Sequence, residues 1–220
     1  MRDEKSLFMK KRLFIIGARG FGRKVYWLAK ESIGYDDTFV VEGFLDDKKS
    51  ALDGYEGYPK IVSSVEDFEP GPEDVFICAL GDVTYKKQYC DIILSRGGKF
   101  ISLISKSAII EQNVNFGDGC IIFGGVRICC DTSIGSFNTF QSYVVIGHDV
   151  IIGSGCHFNT FSFLGGFVKI SDLVTVQTGA IIHPHKILNK RCVIGAGAVV
   201  LRNVPAQTTV YGNPAIKLKI

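Results

Sequence analysis

The chain has 220 residues, a formal charge of only +3 and 46% apolar residues, which is length and substance for one or two domains with full cores. Its 25 basic and 22 acidic residues are dispersed, so no nucleic-acid footprint is expected. The apolar run Leu13 to Ile16, after a start of mixed charge, is far short of the ~20 residues of a membrane span. No integral membrane segment, no leader peptide and a cytoplasmic setting are therefore expected.

Residues 12 to about 103 alternate strands and helices. Arg12 to Ile16 reads as a strand, Gly17-Ala18-Arg19-Gly20-Phe21-Gly22 as a glycine turn, and the following Val25, Leu28 and Ala29 as the apolar face of a helix. A second strand, Val40 to Leu45, ends in Asp46 and Asp47. Beyond the turn-rich Asp53 to Pro59 come a short strand or helix, a strand over Val75 to Leu80, a helix over Tyr85 to Leu94 and a last strand over Phe100 to Leu103. This is the order of a small doubly wound, Rossmann-like α/β domain. A glycine turn lets backbone approach a phosphate at a helix N-terminus. The spacing here is GxxGxG rather than GxGxxG, so a purely structural turn competes with that reading. Asp46 and Asp47 stand where such folds place groups for a ribose or base, or are simply solvated.

From Ile104 to Pro205 the chain divides into seventeen six-residue blocks without an insertion. Each begins with an apolar residue, from Ile104, Ile110 and Phe116 through to Ile194 and Val200, and most carry a small or β-branched residue at the fifth position. A period of six is the signature of a parallel β-helix, in which three blocks make one triangular coil and residues eighteen apart stack at ~4.8 Å. Two inward positions break the pattern, Asn138 and Lys186, and a loosened corner is expected near His183 to Lys186, where Pro184 also stands. The seven cysteines include no CxxC and no metal-type spacing. Cys120, Cys156 and Cys192 lie 36 residues apart at one inward position, as small buried hydrophobes; no metal is expected.

Histidine in such a repeat is informative. His148 follows Gly147 and precedes Asp149, and stacking by eighteen sets Gly166 above it and Cys130 beneath. A glycine neighbour leaves space beside the imidazole, and the adjacent acid can fix its tautomer and make it a better base. A solvated corner histidine is the plain alternative.

The motifs Gly147-His148-Asp149, His157 nine residues on, Leu164-Gly165-Gly166, Ile194-Gly195-Ala196-Gly197 and Val210-Tyr211-Gly212-Asn213-Pro214-Ala215 resemble those of the hexapeptide-repeat acyltransferases. With the Gly17 to Gly22 turn and Gly43-Phe44-Leu45-Asp46-Asp47, the resemblance is to the branch holding the N-acetyltransferases of nucleotide-activated 4-amino sugars and the sialic acid O-acetyltransferases. It covers the chain from about Arg12.

This resemblance implies a Rossmann-like domain (residues 1–103) followed by a left-handed β-helix with a C-terminal tail (residues 104–220), an exception to right-handed crossovers. It also implies a homotrimer with acetyl-CoA between neighbouring helices. His148 matches the catalytic base, Asp149 its acidic partner, His157 a histidine near the acetyl group and Gly166 a glycine contacting the coenzyme. Thr178 and Ala196 fall along the pantetheine path. Gly17, Arg19, Gly20, Phe21, Asp46 and Asp47 match segments that hold a nucleotide-linked amino sugar, with Ala79 and Gly81 in the same crevice. Phe21 replaces a histidine of some nucleotide-sugar enzymes. Gln141 replaces a frequent asparagine beside the acceptor.

The expected reaction is direct acetyl transfer to a sugar amine for surface-glycan biosynthesis. His148 acts as general base, and a backbone N–H near Gly166, or His157, stabilises the oxyanion. An acyl-enzyme on Cys130 is the chemical alternative. O-acetylation of sialic acid and a non-catalytic scaffold or ligand sensor are the alternative functions.

Overall fold

The computed structural model describes residues 10–218. Strand β1 (Lys11–Ile16) leads through the glycine turn into helix α1 (Gly20–Glu31), followed by β2 (Phe39–Leu45), β3 (Ile61–Ser63), β4 (Asp74–Cys78), helix α2 (Val83–Ser95) and β5 (Lys99–Phe100). The five strands form one parallel sheet in the order β3-β2-β1-β4-β5. The short segment after Pro59 is thus a strand, and the order reverses beside β1, where open α/β sheets place their ligands. Strand β1 is apolar from Leu13 onward, and β4 is buried along its whole length, as strands covered on both sides must be.

The turn after β1 explains its glycines. Gly17 has φ +93°, a conformation open to glycine, and a Cβ on Gly22 would lie 1.8 Å from the Gly17 carbonyl oxygen. Helix α1 buries Gly22, Val25, Leu28 and Ala29 along one stripe. Helix α2 starts on Asp82, whose carboxylate accepts from the N–H groups of Thr84 (2.8 Å) and Tyr85 (3.0 Å), a complete N-cap.

The expected strand over Phe100 to Leu103 is divided. Phe100 pairs with Phe76 of β4, whereas Leu103–Ile104 pairs with Ile121–Ile122 and begins the second architecture. From there two-residue strands recur every six residues and stack in parallel at i+18, forming the three faces of a left-handed β-helix. The first face runs from Leu103–Ile104 to Val193–Ile194 and is extended by Thr209–Tyr211. The second runs from Ile109–Ile110 to Val199–Val200, and the third from Asn115–Phe116 to Ile187–Leu188. The inward residues make one continuous core in which Phe140 and Phe158 stack at 4.9 Å. Burying each such side chain stabilises the coil by ~1.5–3 kcal/mol.

Every sixth residue from Asn113 to Gly197 has positive φ, and most of these corner residues are not glycine. Their side chains stack outside the coil, Tyr143 on Phe161 at 5.2 Å and Phe167 on His185 at 4.8 Å. Asn138 points inward and is fully satisfied: its Nδ2 donates to the carbonyls of Gly135 and Gly153, and its Oδ1 accepts from Cys156 N–H, all at 2.8 Å. The loosened corner expected at His183 to Lys186 is absent. His185 N–H donates to Gly166 at 3.0 Å and Lys169 N–H to the Lys186 carbonyl at 2.9 Å, so the ladder is unbroken. Lys186 is only half-buried and escapes the cost of a buried ammonium.

Candidate active site

Two sites lie on opposite sides of the coil. The α/β domain rests on the first face: Phe21 packs against Phe123 (6.1 Å) and His157 (5.6 Å), and Lys86 donates to Thr139 Oγ1 at 2.7 Å. His148 occupies the corner joining the second and third faces, after Val145–Ile146 and before Ile151–Ile152. In a triangular coil that corner is the one opposite the first face. His148 and His157 of one chain are therefore separated by the width of the helix and do not share a small region.

At the corner, the expected stacking is realised. A Cβ on Gly166 would lie 2.8 Å from both Cε1 and Nε2 of His148, so the imidazole lies over the glycine. Its Nδ1 is 2.7 Å from Asp149 Oδ2. The carboxylate only accepts, which places the ring proton on Nδ1 and leaves the Nε2 lone pair directed outward. Asp149 has φ +57°, which aspartate tolerates. Phe167 meets the ring edge-on at 5.1 Å. Half the His148 side chain is exposed, at 55%, so a proton can be taken from a ligand and passed to water. Cys130, one coil below, is poorly suited to attack, because its hydrogen bond with Asp131 and its neighbouring carboxylates raise its thiol pKa. Thr178 and Ala196 are exposed and stacked on a different corner, between the first and second faces, joined by Gly197 N–H to the Thr178 carbonyl at 2.9 Å.

The second site is a crevice of about 510 Å³ at the carboxyl ends of β1, β2 and β4. Gly17, Arg19, Phe21, Asp46, Asp47, Ala79 and Gly81 line it, whereas Gly20, on the first turn of α1, does not. Asp46 holds the glycine turn in place, because its two oxygens accept from the N–H groups of Ala18 (2.8 Å) and Lys48 (2.9 Å). Asp47 accepts from Tyr89 Oη at 2.8 Å, and that bond raises the phenol pKa. Glu66 nearby is also raised, first by desolvation and then by Asp47. Val65, Asp82, Tyr85 and Tyr89 also line the crevice. Sequence reasoning missed them, although Tyr85 and Tyr89 share a helix face at i, i+4 and Asp82 is a recognisable cap.

Where the crevice meets the first face, His157 is 3% exposed, and burial lowers its pKa to about 3 with help from the Lys86 and Lys24 charges. It is a neutral ring at any working pH. Gln141 lies outside the crevice lining and bonds to His157 and Asn159.

The PglD N-terminal domain family matches residues 12–93. GDP-perosamine N-acetyltransferase of Escherichia coli O157:H7 is 30% identical over 218 residues, covering 93% of this chain and 95% of that protein. WeeI from Acinetobacter baumannii AYE is 28% identical with a TM-score of 0.81, over 94% of this chain and 99% of its own. PerB from Caulobacter crescentus, solved with CoA and GDP-perosamine, shares the fold at 24% identity and a TM-score of 0.83, over 94% and 97% of the two chains. With a relative of this similarity aligned over more than nine-tenths of both chains, and with both architectures and the His148 corner in place, the chain belongs to the hexapeptide-repeat sugar N-acetyltransferases.

Proposed function

We propose that the chain transfers an acetyl group from acetyl-CoA to the amine of a nucleotide-linked amino sugar, with residues 1–103 holding the acceptor and residues 104–220 the donor. The observation that carries this reading is His148 over Gly166, bonded through Nδ1 to Asp149 with Nε2 free. A base so arranged removes the proton that the attacking nitrogen must lose, and Asp149 stabilises the imidazolium that results. Gly166 N–H, which has no hydrogen-bond partner among the described residues, is a donor for the oxyanion. Holding both substrates in one geometry supplies much of the remaining acceleration.

The acceptor crevice suits a nucleotide through the unblocked N-terminus of α1, where Arg19 makes no side-chain cap, and through Asp47 and Tyr89 at its far end. The crevice and His148 of one chain face away from each other, so a complete site needs the corner of a second copy. Exposed apolar residues support self-association: Phe163 and Ile181 on the second face are 41% and 44% exposed, flanked by the stacked Tyr143 and Phe161. A homotrimer closes such head-to-tail contacts without leaving a free edge. The seven cysteines are all free thiols, which accords with the reducing cytoplasm.

The test is thiol release from acetyl-CoA with GDP-, UDP- and dTDP-linked amino sugars and free sialic acid, beside light-scattering mass. Amide formation with a nucleotide amino sugar by a trimer is expected. Turnover with sialic acid alone would mean O-acetylation, and an active monomer would remove the shared site. Ile181→Asp is expected to yield smaller, inactive species.

A further inference from the structure

His157 sits in a hydrogen-bond chain whose polarity is set at both ends. Lys24 of α1 donates from Nζ to Gln141 Oε1 at 2.8 Å. An ammonium offers no acceptor, so the Gln141 carbonyl faces Lys24 and its NH2 group faces away. That group reaches Asn159 Oδ1 at 3.0 Å and His157 Nε2 at 3.1 Å. Asn159 is oriented independently, since its Nδ2 donates to the Val176 carbonyl at 3.4 Å and to Gln177 Oε1 at 3.0 Å. Both amides therefore read in the same direction. His157 Nε2 accepts, and the ring proton must be on Nδ1.

That Nδ1 is buried and has no partner among the described residues. The ring atom between the two nitrogens, Cε1, is 4.0 Å from where a Cβ on Gly81 would stand. Gly81 and Phe21, which packs against the same ring, both line the crevice. A buried donor left unpaired is unfavourable, and here the orphan edge borders a ligand site.

We propose that Lys24 and Gln141 are positioning residues that hold His157 in its Nδ1–H tautomer, so that the neutral ring donates a hydrogen bond to an oxygen of a bound substrate. The oxygen belongs either to the acceptor sugar or to the carbonyl of the acyl donor; the chemistry is the same. Gln141 acts through His157 rather than on the acceptor. Lys86 reinforces the arrangement, because it donates to Thr139, the strand neighbour of His157, and a cation there opposes a second proton on the ring. The effect on turnover rests on the acetyltransferase reading; the tautomer does not.

The experiment is nitrogen-15 NMR of the histidine-labelled protein, whose four histidines make His157 assignable by its loss in His157→Gln. The expected pattern is a protonated Nδ1 and a bare Nε2. Gln141→Leu removes the donor that faces Nε2, so it should mix the tautomers and lower kcat about tenfold, the scale of one lost hydrogen bond. Lys24→Met, with Asn159 still orienting the Gln141 amide, should give the same changes in weaker form, and Lys24→Arg should restore them. Acetyl-CoA and GDP-perosamine are added to separate samples, and the one that moves Nδ1 supplies the oxygen. A wild-type Nε2–H or imidazolium pattern, or an Nδ1 signal moved by neither substrate, overturns the proposal. Absence of turnover with every acceptor would instead count against the proposed function and leave the tautomer to the spectrum.

Discussion

The corner that carries His148 and the face that carries His157 place the same side chain in opposite environments. His148 is half exposed, faces a carboxylate and keeps a free lone pair. His157 is buried under Phe21, faces an amide, and has its pKa lowered to about 3, chiefly by desolvation. A carboxylate stabilises the charge a base acquires, whereas burial among amides and lysines forbids it. The first environment suits a group that cycles a proton, whereas the second suits a neutral ring that only makes hydrogen bonds.

The largest effect that would break this comparison is on the base. His148→Ala is expected to lower kcat by about 10²–10⁴-fold with unchanged circular dichroism and oligomeric mass; near-normal turnover would end the assignment. Gly166→Ala comes next. Its methyl would stand 2.8 Å from the imidazole and push the ring aside, for a loss of roughly 10–10²-fold in kcat with little change in Tm, since Gly166 has no positive φ.

The buried histidine makes its own prediction through stability. Its folded pKa of about 3 lies below the ordinary 6.5, so the unfolded chain binds the extra proton between those values. Stability is then full above about pH 6.5 and falls as the pH drops toward 3, by about 2 kcal/mol at pH 5. Urea midpoints at pH 7.5 and 5 should show the loss, and His157→Gln should reduce it; identical pH slopes in the two proteins would contradict the burial of a neutral ring.

Asp149→Asn keeps the left-handed corner but removes the charge behind His148. A drop of about tenfold in kcat is expected, measured against an unchanged KM for acetyl-CoA. The smallest effect is at Lys86, an ammonium buried against the Phe137 carbonyl and Thr139 Oγ1, with its pKa lowered by desolvation. Lys86→Met should leave the unfolding free energy from urea titration within about 1 kcal/mol of wild type or raise it; a larger loss would mean that the cation is needed to join the two domains.

Much of the fold was legible because it repeats. The six-residue period places Ile146, Cys156 and Ile194 inside the coil from spacing alone, and the glycine turn is explained by the approach of Gly22 to Gly17. The stacking of His148 and Gly166 followed from the i+18 rule. The continuous ladder at Lys186 did not follow, because a long side chain can leave an inward position by bending its stem outward. Nor did the partners of Asp46, whose oxygens are taken by Ala18 and Lys48. The spacing of Gln141 and Lys24, 117 residues apart, carries no periodic signal at all.

Periodicity and local chemistry in the sequence determined the β-helix, the α/β domain before it and the pairing of His148 with Asp149, since each depends on neighbours in the chain or on a fixed repeat. Only the tertiary structure decided which face the α/β domain covers, that His157 lies beneath Phe21 while His148 lies on the opposite corner, and which way the Gln141 amide points. Those outcomes depend on contacts between distant segments, where burial and hydrogen-bond direction, rather than spacing, set the energy.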